Sequence, residues 1–415
     1  MSEQVFVIGG GAAGFFCAIN IKLLDPSKTV TIYEKTNKTL QKVKISGGGR
    51  CNVTHACFSI SDMIKNYPRG DKFLKKAFHH FFTTDTVAWF KHQGVELVSE
   101  NDGRMFPVTN SSQTIIDCLI GLADKLGVKI VMNTIVQSFK KIDNVWEVQL
   151  YDTTGRETYS KTTEALCISC GGFPKIEQFD WIEKSTGHTI IPPIPSLFTF
   201  NLPDHPIKNL MGVAVPHVKV KIEGLKAVTE GPLLITHWGV SGPAILKMSA
   251  IAARDLHQQN YHFNATINWL PAFNEESLRT HILEYRQQKG TQKVVNAHFI
   301  NLPARLMSFL LLYSGIDEDQ KWATLPAAQQ NLLIKNLCSF RIEAKGKTTF
   351  KEEFVTAGGI DLKEVDSATM ESKLVKGLYF AGEILDIDGV TGGFNFQNAW
   401  TTGYIAAKGI IGGEK

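Results

Sequence analysis

Gln4-Val5-Phe6-Val7-Ile8-Gly9-Gly10-Gly11-Ala12-Ala13-Gly14 decides how this chain begins to fold. Gln4–Ile8 reads as a short buried strand, Ala12–Leu24 as an almost wholly apolar helix, and Thr29–Tyr33 as a second strand, a compact βαβ unit. The glycines fall where such a unit meets a dinucleotide. Gly9 can make the tight turn, Gly11 lets backbone approach a pyrophosphate, and Gly14 lets helix and strand pack closely. Ala12 and Ala13 open the helix, whose free N–H groups and positive dipole end suit phosphate. Glu34, 20 residues beyond Gly14 and followed by Lys35, ends the second strand. A carboxylate there accepts both ribose hydroxyls of an adenosine and repels a 2′-phosphate. The hexapeptide alone is weak. Strand, helix and acid around it point to an adenine dinucleotide, either FAD or NAD.

The bulk numbers are those of a globular protein. The 415 residues suit two or three domains. Hydrophobic residues make up 43%, charged residues 20%, and the formal net charge is +4. Lys and Arg are scattered; the cluster Lys72–Lys76 near Arg69 reads as a solvated helix face, and nucleic acid is not an expected partner. The seven cysteines have no framework spacing and read as reduced thiols. Met1 leads directly into the first strand, and no apolar run is long enough to span a bilayer, so the expected location is the cytoplasm and no membrane partner is expected.

Further along, Thr83–Gln93 and Ser112–Leu126 read as helices, the second capped by Ser111 or Ser112. Lys129–Asn133 reads as a strand. Ser138–Tyr151 and Arg156–Thr162 read as hairpin strands across Asp152-Thr153-Thr154-Gly155. Ala165–Ser169 is another apolar strand. A proline-dense connector, Ile190–Pro195, marks a change of texture. His217–Ile222 and Tyr261–Trp269 alternate as strands, Asn274–Leu337 turns helical and polar, and strand character returns at Ser339–Ala344 and Phe354–Thr356. The expected division is a nucleotide-binding domain in residues 1–190 and 346–415, with an insert at 191–345 that is β-rich over 191–272 and helical over 273–338.

The C-terminus separates FAD from NAD. Gly377–Glu383 reads as a strand ending in glycine and an acid, with Gly382 suited to close approach and Glu383 to a ribityl hydroxyl. Asp386, Asp388, Gly389, Gly392 and Gly393 make the following turn. Asn395-Phe396-Gln397 starts a helix that would aim its positive end at the flavin pyrimidine. Such a dipole stabilises an anion by up to about 2 kcal/mol, which raises a two-electron potential by about 40 mV.

Taken with Gly9–Gly14, the block Lys44-Ile45-Ser46-Gly47-Gly48-Gly49-Arg50-Cys51-Asn52-Val53-Thr54 resembles a widespread bacterial family of FAD-dependent oxidoreductases. Some members are known as NAD(P)/FAD-dependent enzymes, aminoacetone oxidases or reductases of bile-acid dehydroxylation. Gly103–Pro107, Thr236–Pro243, Val355–Ile360, Thr369–Lys373 and Gly389–Gln397 extend the likeness along nearly the whole chain. The resemblance implies an α/β fold: a glutathione-reductase-like, FAD-binding Rossmann domain interrupted by a β-rich insert with a small helical part. It places Ser46, Gly47, Gly48, Arg50, Cys51 and Asn52 along the FAD. The family's strand-end Ala-Thr-Gly-Gly is here Ser169-Cys170-Gly171-Gly172, and its Tyr before the last helix is Phe394, with Phe396 for Leu.

Arg50 reads as a cofactor contact against the alternative of a structural arginine, and Cys51 as a buried thiol beside the flavin. Cys167 and Cys170 lie in a strand, where a separation of three sends their side chains to opposite faces, against a disulfide. Cys51, His55 and Cys57 lack a second ligand pair, so no metal is expected. His237 reads equally as a proton shuttle or as part of a hydrogen-bonded turn. The expected function is an FAD-dependent oxidoreductase acting on a small substrate, with NADH or NADPH as a transient donor, since no second Gly-x-Gly-x-x-Gly follows a strand. A flavoprotein acting on RNA and a non-catalytic flavin-binding regulator are the alternatives. Substrate, electron acceptor and oligomeric state are not legible.

Overall fold

The computed structural model describes residues 3–297, 299–348 and 355–412. Its chain divides into two compact units, Met1–Ser196 with Lys351–Lys415, and Leu197–Phe350. The division falls after the connector strand Ile190–Ser196. That strand runs past the expected boundary and pairs antiparallel with Val355–Ile360, inside the first unit. Phe354, read as strand, lies outside the described residues.

The first unit is built on five parallel strands in the order Leu378–Phe380, Ala165–Ile168, β1 (Gln4–Ile8), β2 (Thr29–Tyr33) and Lys129–Val131. The apolar runs of Leu378–Phe380, Ala165–Ile168 and β1, rather than alternation, reflect burial on both faces. The helix α1 (Ala12–Leu24) is buried continuously from Ala13 to Ile21. It has no polar face because the C-terminal helix Phe394–Ile410 covers the side turned away from the sheet. The two helices approach backbone to backbone, where a Cβ on Gly403 would lie 2.8 Å from the Ala13 carbonyl oxygen. Phe16 packs between them, its ring 5.2 Å from Trp400 and 4.5 Å from Trp89.

Chain order thus misleads about space: the sheet's edge strand Leu378–Phe380 comes from the far end of the chain and pairs with Ala165–Ile168. A separate sheet is formed by Thr134–Ile142, Val145–Asp152 and Glu157–Thr163. The stretch Ser138–Tyr151, read as one strand, is two, reversed at Asp143, which takes φ 54°. Asp can hold the left-handed turn, and without a glycine the reversal was hard to see. Ser111, one of the two expected caps, does accept the Gln113 N–H at 3.3 Å.

The second unit is a seven-stranded sheet of antiparallel pairs with helices Glu275–Lys289, Ala304–Tyr313 and Ala327–Cys338. Trp269, Trp322, Phe340 and Leu278 are among its fully buried side chains. Pro243–Ile251 and Ala253–Gln258 form two helices within the stretch expected to be β-rich. Pro243 in the first turn, where its missing N–H costs nothing, starts the first of them.

Candidate functional site

The three glycines of the cradle differ physically. Gly9 takes φ 112° and donates its N–H to the Tyr33 carbonyl at 2.8 Å. A Cβ on it would stand 2.6 Å from Cys170 Cα and the Ser169 carbonyl oxygen, so the strand ends close up only because it is glycine. A Cβ on Gly14 would overlap the Gly9 carbonyl oxygen. Gly11 is different: a Cβ there would meet no atom within 4 Å, and its φ of −92° suits any residue. The absence of a side chain at Gly11 serves no contact within the protein. It leaves open space at the helix N-terminus, where the N–H groups of Ala12, Ala13 and Gly14 have no intrahelical acceptor. That opening fits a dinucleotide pyrophosphate.

Glu34 sits one residue beyond β2, over the same turn. One carboxylate oxygen accepts the Gly10 N–H at 2.8 Å, and the other accepts the Thr36 N–H and hydroxyl, each at 2.9 Å. These bonds hold the acid beside the glycines. Lys35 is exposed, its ammonium 5.5 Å from the Phe173 ring.

The C-terminal half of the expected site closes on the same place. Gly382, at φ 79°, donates its N–H to Thr402 Oγ1 at 2.8 Å, and a Cβ on it would approach the Ala13 methyl to 2.8 Å. Glu383 accepts the Thr356 N–H at 2.9 Å and pairs with Lys42 at 2.6 Å. Gly393 is the N-cap of the C-terminal helix, with φ 94° and no side-chain cap. The Asn52 amide, oriented by its surroundings, accepts the Gly393 N–H at 2.9 Å and donates to the Thr54 carbonyl at 3.0 Å. Asn395 binds Gly389 twice, accepting its N–H at 2.8 Å and donating to its carbonyl at 2.9 Å. Phe396 stacks on Trp400 at 5.8 Å.

Several expected cofactor residues have their side chains engaged elsewhere. Gln397 is fully buried, its oxygen held by Thr54 Oγ1 (2.6 Å) and Thr86 Oγ1 (3.0 Å) and its nitrogen donating to Thr401 Oγ1 at 3.0 Å. Asp388 is fully buried in a two-pronged pair with Arg69 and accepts the Ser196 hydroxyl at 2.7 Å. Burial pushes its carboxyl up, opposed by Arg69 and then by Ser196. Arg50 stacks 4.0 Å over the Phe106 ring and pairs with Glu100 at 2.7 Å, with Nε donating to the Gly47 carbonyl. These contacts fix the Arg50 side chain beside the Gly47–Gly49 turn, with 29% of it exposed.

The segment from Ser46 to Asn52 is not a simple loop. It continues the helix Gln41–Gly49, which leaves helical geometry at Ser46, after which Gly47, Gly48 and Gly49 take φ of 58°, 69° and 85°. Ser46 donates to the Val43 carbonyl at 3.0 Å. Gly48 and Gly49 face open space. Cys51 is fully buried at φ 60°, and burial pushes its thiol up to about 12, so it is held as an unreactive thiol.

Tyr67, which the sequence did not single out, completes the arrangement together with His55 and Arg69, neither of which was read as part of this site. Tyr67 donates its hydroxyl to the Phe394 carbonyl at 2.7 Å. His55 Nδ1 lies 3.0 Å from the Gly392 carbonyl, and its ring stacks on Phe394 at 4.7 Å. With Arg69, these clamp residues 387–394 from a segment more than 300 positions away in sequence, a proximity that no local signal reveals. His237 belongs to the second unit, on an exposed turn.

The family described as HI0933-like protein Rossmann domain matches residues 3–409. A ribosomal RNA dihydrouridine synthase of Escherichia coli is 31% identical over 417 residues, covering 98% of each chain. A 3-dehydro-bile acid delta(4,6)-reductase of Clostridium scindens is 26% identical over 417 residues, again with 98% of each chain. Among solved structures, the open conformation of a flavocytochrome c3 fumarate reductase superposes with a TM-score of 0.52 at 15% identity, covering 99% of this chain and 78% of the other, a likeness of fold. Among the described residues, no helix is long and apolar enough to cross a membrane. The cradle, the two ends that close on it and the match along nearly the full length make this chain a member of the HI0933-like family of FAD-dependent oxidoreductases.

Proposed function

We propose that the chain reduces a carbon–carbon double bond conjugated to a carbonyl, with NADH or NADPH as donor and a uracil of ribosomal RNA as substrate. The observation that carries this reading is the chemistry shared by two full-length relatives with dissimilar substrates. Dihydrouridine is uridine with C5=C6 saturated, a bond conjugated to the C4 carbonyl. A 3-dehydro bile acid with 4,6 unsaturation carries double bonds conjugated to its C3 carbonyl. The substrates differ in size and polarity but present the same electrophilic carbon, β to a carbonyl or at its vinylogous position. The higher identity of the RNA-directed relative favours uracil. So does the charge distribution: Leu197–Phe350 holds 16 Lys and Arg against 11 Asp and Glu, so the chain's formal +4 resides there and not in the FAD-binding unit.

The net reaction moves a hydride from nicotinamide C4 to the electrophilic carbon and a proton to the neighbouring carbon, leaving NAD(P)+ and a saturated bond. Bound FAD supplies the hydride relay between donor and substrate. The protein's own part is to bind and orient. The N–H groups at Ala12, Ala13 and Gly14 receive the pyrophosphate. Glu34 receives the adenosine ribose, and Glu383, steadied by Lys42 and the Thr356 N–H, receives the ribityl chain. The uncapped start of Phe394–Ile410, kept open by Gly393, is assigned to the flavin pyrimidine, where N–H groups favour negative charge.

The test is anaerobic. NADH or NADPH should bleach the flavin, and an unmodified ribosomal RNA transcript should restore its colour while one uridine gains two hydrogens by mass spectrometry. Recovery of colour with a 3-oxo-4,6-diene steroid but not with RNA would replace uracil as the substrate. Recovery with neither would overturn the reading.

A further inference from the structure

The turn Thr236–Gly239 in the second unit is rigid in backbone yet displays its central side chains to solvent. Thr236 Oγ1 accepts the N–H groups of Trp238 (3.3 Å) and Gly239 (3.2 Å), and the Thr236 N–H donates to the Gly239 carbonyl at 2.8 Å. Gly239 has φ 156°, and a Cβ on it would overlap the Phe200 carbonyl oxygen, so no other residue closes the turn in this way. His237 and Trp238 are exposed, their rings packed at 4.7 Å and 42°. Trp146, Trp269, Trp322 and Trp400 are fully buried, whereas Trp238 is 46% exposed. A fixed turn that holds an indole ring open to solvent presents a ready face for stacking.

Two cations bind the loop that pairs with this turn. The Leu202 N–H donates to the Trp238 carbonyl at 2.8 Å, and Lys208 binds the carbonyl of the next residue, Pro203. The loop then returns, with the Gly212 N–H on the Ile235 carbonyl at 2.9 Å, directly before the turn. Arg305, exposed, donates to the Asn209 carbonyl at 3.0 Å. Each of these carbonyl bonds uses one donor of a group with three or five, so both cations retain donors. Asp204 is the single acid in residues 202–212.

Resting on the reading of the substrate as RNA, we propose that this turn and loop are the RNA-gripping surface of the second unit. Trp238, backed by His237, stacks on an unpaired base, and Lys208 and Arg305 meet the flanking phosphates. An exposed ring combined with cations on an adjoining loop is how single strands are held without sequence reading. A steroid calls instead for an enclosed apolar cavity.

The test uses the full-length, FAD-loaded protein with an unmodified ribosomal RNA transcript, reading affinity across a salt series and, separately, the rate of flavin bleaching by the nicotinamide donor. Trp238→Ala should weaken RNA binding by about five- to 150-fold, and Trp238→Tyr should restore most of it. Lys208→Ala with Arg305→Ala should lower the slope of log affinity against log salt by about 1.4, two phosphates on a single strand. Bleaching should be unchanged in all three. Wild-type binding that survives these substitutions would overturn this surface and leave the proposed reaction standing. Wild type that binds no RNA even at low salt would overturn both. Vesicles of anionic lipid captured through Trp238, with RNA ignored, would reassign the patch to a membrane.

Discussion

At the scale of single residues, the glycines of one motif predict opposite behaviour. Gly11→Val adds a side chain where no protein atom lies within 4 Å and where the backbone is unstrained. The variant should keep its stability to within about 0.5 kcal/mol yet purify without FAD and fail to take it up. Gly14→Ala places a methyl on the Gly9 carbonyl. It should lose about 1–3 kcal/mol from overpacking, read as a lower denaturant midpoint in the absence of FAD. A destabilised Gly11→Val, or a yellow one, would contradict the assignment of that opening to pyrophosphate. The G-x-G-x-x-G spacing was legible in the sequence, but not which glycine serves the fold and which the ligand, since that depends on what stands opposite each Cβ.

At the scale of elements, the C-terminal helix and the turn before it are held by a buried ion pair. Asp388 has no side-chain exposure and Arg69 has 11%. Removing one partner leaves a buried charge uncompensated, so Arg69→Ala should cost about 3–5 kcal/mol. Arg69→Met combined with Asp388→Leu should cost markedly less, because an apolar pair needs no desolvation of charge. A double variant as unstable as the single one would show that the geometry, not the charge, is what the pair supplies. The helix itself was read from its glycine-led start and runs from Phe394 to Ile410. The engagement of Gln397 and Asp388 inside the protein was not legible, because their partners Thr54, Thr86 and Arg69 come from elements that only the tertiary fold brings near.

At the scale of the whole molecule, each unit carries a histidine that burial holds below its ordinary value. His188 lies between Thr186 Oγ1 (2.7 Å) and Ser372 Oγ (2.9 Å) in the first unit, and desolvation lowers it against the pull of Glu364. In the second unit His205 accepts the Ile207 N–H on Nδ1 at 3.1 Å, and its Nε2 has no hydrogen-bond partner among the described residues. A lowered folded value means that the unfolded chain takes the proton first as pH falls. The stabilisation is complete above about pH 6.5 and is lost on descending toward the folded values. Thermal midpoints should therefore fall between pH 7.5 and 5.5, and the slope should flatten in His188→Gln. An equally steep slope in that variant would remove His188 from the account.

What the sequence by itself determined is the set of features written in short-range pattern. These are the opening βαβ unit, the dinucleotide cradle with Glu34, the helix after Gly393 and the oxidoreductase family. Each is set by spacing along a few turns of backbone, and local hydrogen bonding and periodicity suffice to read it. Tertiary structure alone decided that Arg50 stacks on Phe106, that residues 66–70 clamp the turn at 387–394, and that Trp238 is left in solvent on a fixed turn. Those outcomes depend on which side chains become neighbours when distant segments pack, and burial, charge pairing and exposure are properties of that packing rather than of any stretch of chain.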